Sequence, residues 1–230
     1  MLQIESISKN YTRGRNTVHA LRSTSIEVEA GEFIAIVGPS GSGKSTLLSM
    51  IGGMLSPTSG RVLLNGESLY EISVKQRSRL RNEHIGFLFQ SFNLVSYLNA
   101  IENVQLPMTL YGTDRVNQHN QAKHLLERFG LGERLDHKPT ELSAGQQQRV
   151  AMARTLAMSP KLILADEPTG NLDPESRDMI LKTMHDLCDE GRTIILVTHD
   201  TSVSASAHRV FHIADGHTTE TVNKENREAA

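Results

Sequence analysis

FIAIVGPSGSGKSTLLSMI, residues 33–51, decides the reading of the fold. Phe33–Val37 is a short, wholly apolar run bounded by glycine, which predicts a strand buried on both faces of a parallel sheet. Gly38–Thr46, GPSGSGKST, then fits G-x-x-x-x-G-K-[ST] at Gly38, Gly43, Lys44 and Ser45. The chemistry explains the spacing. Gly38, Gly41 and Gly43, with Pro39, Ser40 and Ser42 between them, let the backbone N–H groups close around phosphate oxygens. The helix predicted from Thr46 adds the positive end of its dipole. Lys44 reaches the β- and γ-phosphates, and the Ser45 hydroxyl ligates Mg²⁺. Strand, glycine loop and helix together make a nucleoside-triphosphate site.

Similar apolar runs recur at IGFLF (85–89), LILA (162–165) and TIILVT (193–198), so more strands of the same buried kind are expected. Ahead of the loop, SIEVEAGEF alternates at Ile26 and Val28 and turns at Ala30-Gly31; Asn65-Gly66 after RVLL marks a hairpin. Between 98 and 158 the pattern becomes helical. Ala122, Leu125, Leu126 and Phe129 fall at i, i+3, i+4 and i+7, one apolar stripe. The expected organisation is a single domain: an α/β nucleotide-binding core over 1–90 and 159–216, a helical subdomain over 91–158, and a flexible polar tail over 217–230.

Composition sets bounds. The formal net charge of −2 gives no electrostatic case for a general nucleic-acid or acidic-lipid binder. The basic run KQRSRLR (75–81) reads as a solvated helix face. Cys188 is the single cysteine, which excludes an intramolecular disulfide and lacks zinc-ligand spacing; a buried thiol is expected. The first twenty residues lack a signal-peptide core, and the apolar runs are too short to span a bilayer. The expectation is a cytoplasmic protein that docks on a membrane partner.

A phosphate loop alone does not separate kinases, GTPases and motors. LILADE (162–167) is an apolar strand ending in two acids. Asp166, at the carboxyl end of the strand, is placed to hold Mg²⁺ through water, and Glu167 to polarise a water in line with the γ-phosphate. His199, in VTHD, ends another strand; alone it reads as structural, but beside a γ-phosphate it can sense the phosphate and position the water. LSAGQQQRV (142–150) looks like a second helix start offered to an anion. Its alanine at 144 is harmless if φ there is negative and costly if φ is positive.

GPSGSGKST, FLFQ, LSAGQQQRV, LILADEPTGNLD and VTHD stand in that order, and with them the chain from about Leu2 to Gly216 resembles the nucleotide-binding subunit of an ATP-binding cassette (ABC) transporter. The resemblance implies an α/β phosphate-loop fold with a mainly parallel sheet, an N-terminal antiparallel β subdomain and an inserted α-helical signature subdomain. It implies ATP hydrolysis with Mg²⁺, held in part by Gln90 along with Ser45 and Asp166, and it makes Gln90 the link to the transport partner. Tyr11 would stack on adenine, with a packed surface aromatic as the alternative. The ATP sites of the family are composite, so Ser143, Gly145 and Gln146 would contact ATP bound to the partner subunit, and Asp173 would lie at the dimer interface. Ala144 departs from the usual glycine of the signature.

DEPTGNLD and FLFQSFNLVSYLNAIENVQLPM further resemble the branch serving lipoprotein release, macrolide export, antimicrobial-peptide resistance and a cell-division relative. A homodimer working with membrane permease subunits is implied, with residues 91–111 forming the groove for a cytoplasmic helix of the permease. Phe92, Leu94, Val95, Tyr97 and Leu98 supply its apolar contacts. The rival is a soluble ABC-type ATPase acting on DNA or chromosomes; the gap between phosphate loop and signature lacks the sustained heptads or cysteine pairs such proteins insert.

Overall fold

The computed structural model describes residues 1–14 and 16–222. In chain order its elements begin with strands β1 (Leu2–Arg13), β2 (Asn16–Val28) and β3 (Phe33–Val37), followed by helix α1 (Lys44–Ile51). Then come β4 (Ser59–Leu64), β5 (Glu67–Ser68), α2 (Val74–His84) and β6 (Ile85–Phe89). The helices α3 (Ala100–Tyr111), α4 (Arg115–Arg128) and α5 (Ala144–Leu156) follow, then β7 (Leu162–Asp166) and α6 (Pro174–Asp189). The last elements are β8 (Thr193–Thr198), α7 (Thr201–Ser204), β9 (Arg209–Ala214) and β10 (His217–Val222). Contacts group them into two units: Met1–Arg81 with the chain from His185 onward, and Asn82–Met184.

The first unit holds an antiparallel sheet ordered β2-β1-β4-β5. Leu2, Ile4 and Ile7 of β1 and Leu21, Ile26 and Val28 of β2 are buried, so the alternating residues make one apolar face. Asn65 and Gly66 join β4 to β5 with φ of 52° and 83°, the two-residue turn that Asn-Gly favours. The same unit carries β3, every residue buried, running parallel to β8 on one side and β9 on the other. Each large apolar side chain so enclosed contributes about 1.5–3 kcal/mol. Two arginines of the basic run pack rather than face solvent alone: Arg77 lies 5.2 Å from the Tyr70 ring centre, and Arg81 donates to the Gly53 carbonyl at 3.0 Å. The Cys188 thiol is buried, donates to the Gly31 carbonyl, and is pushed by burial up to about 11.

One expectation fails here. His217–Val222, read from sequence as the start of a flexible tail, pair antiparallel with β9 as β10. The cause is local: Asp215 and Gly216 sit at φ 49° and 76°, a second two-residue hairpin turn, and Asp-Gly is a strong hairpin signal even beside polar strands. Residues 223–230 of that tail lie outside the described residues.

The second unit pairs β6 and β7 in parallel and packs α3, α4 and α5 on one another. Ala122, Leu125, Leu126 and Phe129 are all buried, as the stripe requires. Asn99 caps α3 in a reciprocal box with Glu102, and Asp114 caps α4. A parallel α/β arrangement, an antiparallel N-terminal sheet and a helical region are therefore all present. Among the described residues no helix is long and apolar enough to cross a membrane.

Candidate active site

Strand register places the chemistry. In the first unit Val37 of β3 lies beside Thr198 of β8, so Gly38 and His199 leave neighbouring strands at the same carboxyl edge. A Cβ on Gly38 would collide with the Ile213 carbonyl, and one on Gly43 with the Ala20 carbonyl. Gly43 also has φ 106° and Gly41 φ 78°, which a side chain would strain. Lys44 is only 8% exposed, and its ammonium donates to the carbonyls of Gly38 at 2.9 Å and Pro39 at 3.0 Å. The Ser42 hydroxyl oxygen is buried without a hydrogen-bond partner. The start of α1 has no side-chain cap and no acidic residue in its first turn. A cation, an orphaned hydroxyl and an uncapped helix start on one loop fit a polyphosphate. Tyr11 is half exposed on β1, opposite Val18, with the Lys9 ammonium 5.3 Å from its ring centre.

The second unit repeats the register device. Phe89 of β6 pairs with Asp166 of β7, so Gln90 and Glu167 each stand one residue beyond the paired ends. Asp166 and Glu167 are half-buried and Gln90 is exposed. Glu167 has φ 47°, a left-handed conformation that costs a non-glycine residue about 1–3 kcal/mol and ends the extended backbone of β7. The turn is closed by the Gly170 N–H donating to the Glu167 carbonyl at 3.1 Å. Gly170 lies against the Gln90 side-chain amide, where a Cβ would stand 2.8 Å from Nε2, and Asn171 donates to the Gln90 carbonyl at 3.3 Å. Gln90 and Glu167 are thus held by one short loop. Asp173 accepts from the Ser176 N–H at 2.9 Å at the start of α6; that hydrogen bond holds its carboxyl below the usual carboxylate range.

The signature run forms the start of α5. Ser143 is its N-cap: the hydroxyl oxygen accepts from the Gln146 N–H at 3.2 Å, and the Gln146 side chain accepts from the Ser143 N–H at 2.9 Å. With the oxygen engaged as acceptor, the exposed Ser143 hydroxyl still has its own proton to donate. Ala144 is the first residue of the helix and is not among the left-handed residues, so its methyl group is unstrained. Ala144→Gly is expected to change ATP turnover by less than about threefold, since glycine at an exposed helix position costs at most about 1 kcal/mol; an increase of orders of magnitude would mark the alanine as a lesion. Gly145 is different. A Cβ there would collide with the Ser176 hydroxyl and stand 2.9 Å from the Ser176 Cβ. The glycine is required inside the chain, by α6.

Sequence reasoning missed two residues that the structure brings to this unit, Ser176 and Gln148. Ser176 carried no local signal. Gln148 did: it shares a helical face with the buried Ala151, Met152 and Thr155, and a polar residue on such a stripe needs a reason.

Comparison with known proteins agrees with this geometry. The family model described as ABC transporter matches residues 21–170. The lipoprotein-releasing system ATP-binding protein LolD of Shewanella sp. (strain MR-4) is 44% identical over 218 residues, covering 94% of both chains. The macrolide export ATP-binding/permease protein MacB of Aggregatibacter actinomycetemcomitans is 44% identical over 94% of this chain, which spans 34% of that longer protein. The dimeric post-hydrolysis structure of the ATP-binding cassette MJ0796, bound to ADP and Pi, superposes with a TM-score of 0.90 at 36% identity, covering 96% of this chain and 98% of that one. The matched range takes in the phosphate loop, the signature helix and the two acids at 166 and 167, and the chain belongs to the ABC transporter family as an ATP-binding, ATP-hydrolysing subunit.

Proposed function

We propose that the chain works as a head-to-tail homodimer whose ATP-driven closure and hydrolysis-driven opening move membrane permease subunits, in a lipoprotein-releasing, macrolide-exporting or related mechanotransmission system. The observation that carries the reading is the second anion-ready helix start, Ser143–Gln146, an exposed serine N-cap in a reciprocal capping box. One chain has no use for two such ends on one nucleotide; a dimer does. Its likeness to a cassette crystallised as a dimer and to transporter subunits supports this.

In this reading Tyr11 stacks on adenine and the Gly38–Thr46 loop cradles the phosphates. Lys44 exchanges its two loop carbonyls for the β- and γ-phosphates. Ser45, Asp166 and Gln90 are hard oxygen donors that would hold Mg²⁺, which supplies charge neutralisation at the phosphates when bound. Glu167 takes the proton of the attacking water, and His199 orients that water against the γ-phosphate. Ser143, Gly145 and Gln146 close on the nucleotide of the other subunit, and Asp173 lies at the interface.

Within Asn82–Met184 a groove of about 290 Å³ is lined by Phe87, Phe89, Asn93, Pro107 and Arg154 among others, with Phe87 and Phe89 stacked. Its walls join the strand ahead of Gln90 to the helical region, and Tyr97 nearby in sequence is 75% exposed. We assign this groove and the 91–111 segment to a cytoplasmic helix of the permease. A cysteine replacing Tyr97 is expected to crosslink to a permease subunit with which the chain co-purifies. Failure of crosslinking from every position across 91–98 would remove the assignment, and DNA-stimulated ATPase activity without a membrane partner would favour the rival reading.

A further inference from the structure

Helix α5 carries more than the signature. Its side chains reach five backbone carbonyls around Gln90 and Glu167, all within one unit. Thr155 donates to the Phe87 carbonyl at 2.7 Å. Arg154 donates to the carbonyls of Phe92 at 2.7 Å and Asn93 at 2.6 Å. Those two residues sit at φ 58° and 50°, consecutive left-handed residues without a glycine. Burial pushes the Arg154 guanidinium down from its ordinary value, but its partners are carbonyls that favour the charged form.

Gln148 is the residue that spans both catalytic loops. It is fully buried, and its Nε2 donates to the Pro168 carbonyl, one residue past Glu167, and reaches the Phe89 carbonyl, one residue before Gln90, at 3.5 Å. The orientation of the amide follows, because the reverse would set Oε1 against two carbonyl oxygens. Its Oε1 is buried without a hydrogen-bond partner. Leaving such an acceptor unmet is destabilising, so an apolar side chain of the same size would serve packing better. The amide is kept for its donor.

We propose that Gln148 is a positioning residue that ties the signature helix to Glu167 and Gln90, so that seating Ser143–Gln146 on the partner's nucleotide sets the geometry of the chain's own water-activating carboxylate. The inference rests on the proposed role of Glu167. Physically, the left-handed Glu167 persists only while its neighbours hold the following peptide. The Gly170 N–H holds the Glu167 carbonyl, and Gln148 holds the Pro168 carbonyl. Gln148 is two residues, less than one turn, from Gln146. A tilt of α5 at its capped end therefore reaches Pro168 directly. A shift of about 1 Å in a catalytic group is enough to lower a rate by about 10²-fold.

Two variants of the full chain test this in steady-state ATPase assays. Gln148→Met keeps the volume and removes the donor. It is expected to lower kcat about tenfold or more with KM for ATP within about twofold, because binding through Gly38–Thr46 is untouched. Gln148→Glu faces two carbonyls, which disfavour its ionised form and raise its pKa. Only its protonated form can donate, so its kcat relative to the parent is expected to rise several-fold as pH is lowered from 8 to 6. A Gln148→Met enzyme within twofold of the parent in kcat, or one whose defect lies in KM alone, would overturn the proposal. So would a Gln148→Glu profile parallel to that of the parent, or a finding that neither variant folds, which would make Gln148 a folding residue. Glu167→Gln assayed alongside separates the two readings: full turnover in that variant removes the role of Glu167, whatever Gln148 does.

Discussion

Glu167→Gln is expected to lower ATP turnover by about 10²–10⁴-fold, the range lost when a positioned general base is removed, while ATP binding survives. The substitution is nearly isosteric. The left-handed backbone at φ 47° is paid by the fold equally for either side chain, and the Gly170 N–H bond to the residue's carbonyl is a backbone contact that the change leaves alone. What disappears is the carboxylate that, in the proposed function, accepts the water proton. Closure by ATP then continues without the hydrolysis that reverses it, so the variant should accumulate as an ATP-dependent dimer. Light scattering behind size-exclusion chromatography reads this directly: dimer with ATP and Mg²⁺, monomer with ADP. Parent-like turnover would show that another group activates the water, and a variant monomeric in ATP would remove the composite site.

Gly145→Ala is expected to lower turnover more than tenfold and to destabilise the chain by about 1–3 kcal/mol, the usual cost of overpacking. The added Cβ would meet the Ser176 hydroxyl and stand 2.9 Å from the Ser176 Cβ. Either the start of α5 or the start of α6 must move, and both carry site residues: Ser143 and Gln146 on one, Asp173 just ahead of the other. Ser176→Gly in the same chain removes the obstacle and should recover most of the lost melting temperature, a drop of roughly 2–4 °C per kcal/mol at this size. A double-mutant cycle would then show about 1 kcal/mol or more of coupling. If stability returns but turnover does not, the glycine also serves the approach of backbone to nucleotide. If neither returns, the contact with Ser176 is not the reason for the glycine.

How legible these features were depends on their range. The phosphate loop is local: nine consecutive residues carry the turn, the cation and the hydroxyl, so Lys44 and Ser45 could be named from the string alone. The buried strands were legible for the same reason, as uninterrupted runs such as Phe33–Val37 and Thr193–Thr198. Ala144 was legible as a conditional, and the helix resolves it, because the first residue after an N-cap takes ordinary negative φ. The tail was misread at His217–Val222 because its polarity masked an Asp-Gly turn. Polarity reports one wet face, not the absence of a strand.

The sequence by itself determined the family, the phosphate loop, the two acids at the end of β7 and the glycine-bearing helix start, since each is a contiguous pattern whose chemistry follows from residue type and spacing. Only the tertiary structure decided what faces what. Parallel register set Gly38 beside His199 and Gln90 beside Glu167, and no spacing within one strand encodes its offset from the next. Packing decided why Gly145 is glycine, by bringing Ser176 against it from 31 residues away. It also gave Gln148, one polar letter among three glutamines, the carbonyls beside Gln90 and Glu167, because hydrogen bonds between distant segments exist only once the chain has closed.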